Sequence, residues 1–76
     1  MTDNEIVEVL IRLCKAYAAD DRGAIARLEP EATRIGQELD RRGGISEMRR
    51  IYKLVPEMRG KRTLDMHWDG IGEWRG

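Results

Sequence analysis

The 76-residue chain contains no phenylalanine, one cysteine, one histidine and two prolines. A single cysteine excludes an internal disulfide. A domain of this length buries only about 60% of the surface its unfolded chain exposes, so it must hold itself together by packing alone. Cys14, set among Ile11, Leu13 and Tyr17, reads as a buried and inert thiol. Net charge is also missing, because fourteen acidic side chains balance fourteen basic ones. The chain therefore exerts no general pull on nucleic acid or membrane surfaces. No apolar run approaches bilayer length and nothing at the N-terminus reads as a signal peptide, so a cytoplasmic location and no membrane partner are expected.

What the chain does have is concentrated at one end. Leu64 to Trp74 holds both tryptophans, the only histidine and two of the eight glycines. As a hairpin turning at Asp69-Gly70, this stretch would set Met66 against Glu73 and Leu64 against Arg75, placing charges opposite the apolar face. As a helix it puts Leu64 and Trp68 on one face, lets Thr63 or a neighbour cap the start, and supplies Gly70 as a left-handed terminus with Met66 and Ile71 in contact across it. The helix accounts for more residues.

Upstream, Thr2-Asp3-Asn4-Glu5 fits a capping box, and Met1 and Ile6 are placed for a hydrophobic staple. Ile6, Leu10, Leu13 and Tyr17 form one stripe, with Val7, Ile11, Cys14 and Ala18 beside it. An arc this broad predicts a central helix that ends near Asp20-Asp21. After a break at Asp20 to Gly23 and a short turn, Pro30 is expected as the first residue of a new helix whose inner face carries Ala32, Ile35 and Leu39. Gly36 suggests a close helix crossing, and Gly43-Gly44 a terminus. A third helix is expected from about Ile45, burying Met48, Ile51, Tyr52 and Val55 and interrupted by Pro56. Arg59 to Arg62 form a basic connector.

Candidate chemistry is sparse. Asp65, His67 and Asp69 are close in sequence, but 100° per residue points the imidazole away from both carboxylates, so no metal site is expected. No serine or cysteine has a histidine partner in prospect, Ser46 falls at a helix start, and no phosphate-cradling glycine motif is present. Neither a cofactor nor an enzymatic activity is expected. Residues 32–55 place two amphipathic helices around Arg41-Arg42-Gly43-Gly44, an outline that resembles a helix-turn-helix with a lengthened turn. Arg49, Arg50 and Lys53 would face DNA, and Arg59, Lys61 and Arg62 would reach phosphates.

These patterns predict one all-α domain over residues 1–76, a small bundle of three main helices plus a short C-terminal helix. The expected role is a non-catalytic protein-interaction or regulatory module that self-associates as a homodimer. Tyr17, Trp68, Ile71 and Trp74 form the candidate surface, since aromatic side chains are enriched at interface hot spots. Trp68 suits a core better than an interface, whereas Trp74 suits either. A small DNA-binding protein is the alternative, to be told apart by the steep salt dependence of DNA affinity.

Overall fold

The computed structural model describes residues 1–76 as three helices with no strand. α1 spans Asp3–Ala19, α2 spans Arg22–Leu54 and α3 spans Lys61–His67. No helix is long and apolar enough to cross a membrane.

α1 begins at the predicted capping box. The Thr2 hydroxyl accepts from the Glu5 amide at 3.2 Å, and the Glu5 carboxylate accepts from the Thr2 amide at 2.7 Å. At the other end Asp20 takes a left-handed conformation, φ 52°. This lets the Asp20 amide donate to the Tyr17 carbonyl at 3.1 Å and the Asp21 amide to the Ala16 carbonyl at 2.9 Å. That pairing is a Schellman motif, with aspartate in the place glycine usually takes. Asp21 then starts α2 by accepting from the Ala24 amide at 3.2 Å. Two adjacent aspartates thus end one helix and begin the next.

The new helix expected at Pro30 starts instead at Arg22, and the proline lies inside α2. An interior proline removes a backbone hydrogen bond and costs about 3 kcal/mol. Packing outweighs that cost, because Ala32, Ile35 and Leu39 on the same helix are buried and Leu28 is partly buried against the same core. Pro30 is exposed, and so is Ala26, the residue whose carbonyl would have accepted from an amide at position 30. Gly43-Gly44 does break the helix: Gly43 has φ −159° and ψ 16°, and Gly44 has φ 66° and ψ −153°. The Gly44 combination is essentially open to glycine alone. α2 is therefore a kinked rod with limbs 22–42 and 45–54, so the architecture is close to the expected three helices and a short fourth.

One core cluster draws on every element. Leu10, Leu13 and Cys14 of α1 meet Leu39, Met48 and Ile51 of α2, and Val55, Leu64, Trp68 and Trp74 close the far side. α1 packs on both α2 and α3, the central position its broad apolar arc requires. Burial pushes the Cys14 thiol pKa up, as expected for an inert core group.

The C-terminal stretch departs from expectation in detail. α3 has no side-chain cap: Gly60 is its N-cap residue, and Thr63 lies within the helix. Gly70 is left-handed, φ 90°, but Met66, expected to close against Ile71, is exposed. Ile71 packs over Gly36, where an added Cβ would lie 3.0 Å from both the Ile71 Cδ1 and the Trp68 Nε1. The small residue at 36 thus admits an indole and an isoleucine, where the sequence suggested a helix crossing.

Gly60 and Gly70 share φ 90° but differ in surroundings. A Cβ on Gly60 would overlap the backbone carbonyl of Cys14, whereas one on Gly70 would meet nothing within 4 Å. Gly70→Ala should cost about 1 kcal/mol through backbone strain alone. Gly60→Ala should cost about 3 kcal/mol or more, since the backbone it strikes cannot swing aside. Thermal unfolding of the two variants checks this, at roughly 4–8 °C per kcal/mol for a chain this small. Equal losses would contradict the seating of Gly60 on α1.

Candidate functional site

The second limb of α2 presents Ile45, Arg49, Tyr52 and Lys53 along one side, the i, i+4, i+7, i+8 spacing of a single helical face. Opposite them stand Asp65, Trp74 and Arg75, and the seven residues line a cleft of about 300 Å³. Its aromatic wall is built from the core outward. Trp74 stacks edge-on against Trp68, with centroids 5.1 Å apart, and against Tyr52 at 5.2 Å. The Trp74 indole N–H donates to the Asp65 carbonyl oxygen at 3.0 Å and to its carboxylate at 2.8 Å. The one acid in the cleft is therefore already committed to the indole. Tyr52 donates its hydroxyl to the Lys61 carbonyl at 3.1 Å. Burial, followed by the nearby Asp65 carboxylate, pushes its phenol up to about 12.

Arg49, Lys53 and Arg75 are exposed and take part in no ion pair. Two other members of the proposed nucleic-acid set are placed differently. Arg50 bridges elements: its guanidinium donates to Asp3 at 2.7 Å, and to Glu47 at 2.7 and 2.8 Å. Lys61 is buried, and its ammonium donates to the Val55 carbonyl at 2.7 Å and to Glu57 at 3.0 Å while lying 4.6 Å from the Tyr52 ring centre. It neutralises the carbonyl end of α2 from within and is not free to reach a phosphate. Arg59 and Arg62 are exposed. Four of the six cations thus remain available, and Arg75, which the sequence reading did not single out, joins Arg49 and Lys53.

The aromatic surface fares differently. Trp68 is fully buried, with its indole N–H donated to the Ala32 carbonyl at 3.0 Å. Trp74 is 5% exposed. Trp68 offers no surface to a partner and Trp74 only an edge in the cleft, while Tyr17 and Ile71 are half-buried at the core's edge.

Tyr17 belongs to a polar cluster that joins all three helices. Its hydroxyl donates to Glu29 at 2.7 Å; the same carboxylate lies 3.4 Å from His67 Nδ1, and His67 Nε2 lies 2.8 Å from the Thr33 hydroxyl. Burial, reinforced by the Glu29 carboxylate, pushes the Tyr17 phenol pKa up. A hydroxyl, an imidazole and a carboxylate in series could activate a nucleophile. Here, however, neither of the molecule's two clefts is lined by any of these four residues. The cluster reads as a clasp, and the Asp65–His67–Asp69 run disperses: Asp65 faces Trp74, His67 faces α2, and Asp69 accepts from the Gly76 amide at 3.0 Å.

The other cleft, about 290 Å³, has an apolar floor of Ile6, Ile35 and Leu39. Arg34, Arg42, Glu31 and Glu38 stand on its rim beside Met1, and Arg42 is bonded to Glu38 at 3.1 Å. The four charged side chains balance, so they lack the positive surplus of those lining the first cleft. No family model matches the chain, and no curated protein and no solved structure matches it.

Two outcomes follow. Lys61→Met keeps the apolar stem but loses the bonds to Val55 and Glu57, and should cost about 1.5–3 kcal/mol. Denaturant unfolding checks this, and an unchanged midpoint would return Lys61 to the surface. The second outcome concerns acid. Hydrogen bonds from Arg50 lower the carboxyls of Asp3 and Glu47, the Thr2 amide lowers that of Glu5, and Arg41 brings Glu38 down to about 2 from 4.5. Each folded value lies below the unfolded one, so this stability is complete above about pH 4.5 and is lost as pH falls through the folded values. The melting temperature should be flat from neutrality to about pH 5 and decline below it, and a carboxyl titration by NMR should place Glu38 lowest among the glutamates.

Proposed function

We propose that the chain is a non-catalytic binding module that docks an acidic segment of a partner protein on the face around Arg49, Lys53 and Arg75. One observation carries this reading. In a chain with no net charge, three cations without ion-pair partners line a single cleft whose only acid is held by an indole. Residues 43–76 hold seven bases against five acids, and of those acids Glu47 and Glu57 are ion-paired while Asp65 and Asp69 accept hydrogen bonds. Arg49, Lys53 and Arg75 therefore bring unpaired positive charge to one cleft, where it would steer and orient an anionic partner.

Two considerations favour a protein segment over duplex DNA. The DNA reading draws on six cations, of which Arg50 and Lys61 are engaged inside the molecule. A cleft of about 300 Å³ walled by Tyr52 and Trp74 is scaled to a side chain and not to a groove-spanning helix. Self-association through the tryptophans has little to work with, because both are buried and the exposed large apolar side chains are Met1, Leu54 and Met66.

Fluorescence anisotropy with a labelled Asp/Glu-rich peptide and a labelled mixed-sequence duplex, each at low and moderate salt, tests the proposal. The peptide should bind, and the double variant Arg49→Glu/Lys53→Glu should abolish binding without moving the melting temperature. Duplex binding as tight as peptide binding, with a steep salt slope, would overturn it in favour of nucleic acid. Light scattering on the same samples reports whether the protein alone is a dimer.

A further inference from the structure

Resting on that reading of the cleft, we infer that its specific occupant is a phosphate monoester carried on an aromatic or similarly flat group, as on a phosphorylated tyrosine side chain. The inference turns on charge matching. Arg49, Lys53 and Arg75 contribute three positive charges, and Asp65 one negative charge, which faces the Trp74 N–H. The lining therefore carries a surplus of two. A carboxylate or a sulfate monoester brings one negative charge, whereas a phosphate monoester brings close to two at pH 7, with three acceptor oxygens. Two of the three cations are arginines, whose planar forks suit phosphate oxygens better than a point charge does.

The rest of the lining selects what the phosphate is attached to. Tyr52, Trp74 and Ile45 line the same cleft as these cations and give it an apolar strip that water would otherwise cover. Trp74 is held in this wall, because its N–H donates to the Asp65 backbone carbonyl and to one Asp65 carboxylate oxygen, and its ring packs against Trp68 and Tyr52. The Arg75 guanidinium donates to the Trp74 carbonyl at 3.1 Å, so the cation and the aromatic wall are held together. An aryl group laid against that strip gains aromatic contact while its phosphate meets the cations. A serine-borne phosphate would leave the strip uncovered.

The test uses the full chain and three small probes of matched shape: phenyl phosphate, phenyl sulfate and inorganic phosphate, with adenosine monophosphate as a nucleotide source of the same group. Binding is read by tryptophan fluorescence, because Trp74 lines the cleft, and by the NMR shift of its indole N–H. Phenyl phosphate should bind about tenfold or more tightly than phenyl sulfate. It should also bind more tightly than inorganic phosphate, and its affinity should fall as pH drops through about 6, where the monoester takes up a proton. Arg75→Gln and Lys53→Gln, both at exposed positions, should each lower affinity about tenfold with the melting temperature unchanged. Equal affinity for phenyl phosphate and phenyl sulfate, or indifference to both substitutions, would overturn the inference. If acidic peptides still bound under those outcomes, the docking face would stand and only its phosphate selectivity would fall. Adenosine monophosphate binding more tightly than phenyl phosphate would likewise overturn the protein-borne source in favour of a nucleotide.

Discussion

The Trp68 indole fills the space where α1, α2 and the C-terminal return meet, and most of the molecule is arranged to receive it. With no phenylalanine in the chain, few other side chains are large enough to close a core of this size. Burying an indole carries a condition, because its N–H must find an acceptor. The Ala32 carbonyl provides it, and that contact requires a small residue one turn further on, where Gly36 lies beneath the ring. Trp74 then packs on Trp68, Tyr52 on Trp74, and the Lys61 ammonium over Tyr52. The cleft wall is the outer end of this series, so a site on the surface inherits its rigidity from the centre of the core.

Polar groups inside the molecule follow the same logic. Every buried side-chain nitrogen or oxygen has a partner. The buried cation is instructive, because an uncompensated ammonium would be costly. Lys61 has a carbonyl, a carboxylate and an aromatic face around it, and the carbonyl is one that the end of α2 would otherwise leave without a donor. The cations that line the cleft, Arg49, Lys53 and Arg75, by contrast remain in water.

Much of this order was legible in the sequence wherever the cause is local. Thr2 and Glu5, Asp20 and Asp21, and the two glycines at 43 and 44 act on backbone within a few residues, and they begin, end or break helices as their chemistry dictates. The burial of Met48, Ile51 and Val55 followed from spacing alone. Pro30 misled for the opposite reason: its penalty is local, but the apolar face that outweighs it is tertiary. Lys61 looked like part of a solvated basic connector, and nothing nearby in sequence shows that the chain folds back over it. The meeting of His67 with Thr33 and Glu29, like the joining of Arg75 to Arg49 and Lys53, spans a separation that no periodicity records. Both tryptophans are buried, Trp68 in the core and Trp74 at its edge where it walls the cleft, a placement that depends on contacts far apart in sequence.

The seating of Gly60 on the Cys14 carbonyl bears on how the molecule comes together. α3 has seven residues and no side-chain cap, too little to persist by itself in water. Its N-cap residue, Gly60, rests on backbone that has this shape only once the middle of α1 is helical. The terminal helix, the two indoles beyond it and the cleft they wall off therefore cannot form ahead of α1, and they bury its apolar side when they do form. Joining positions 14 and 60 closes a long loop whose entropy must be met by many contacts arriving together. The chain is thus built to fold in a single cooperative step, in which a half-assembled form would have neither its core nor its cleft.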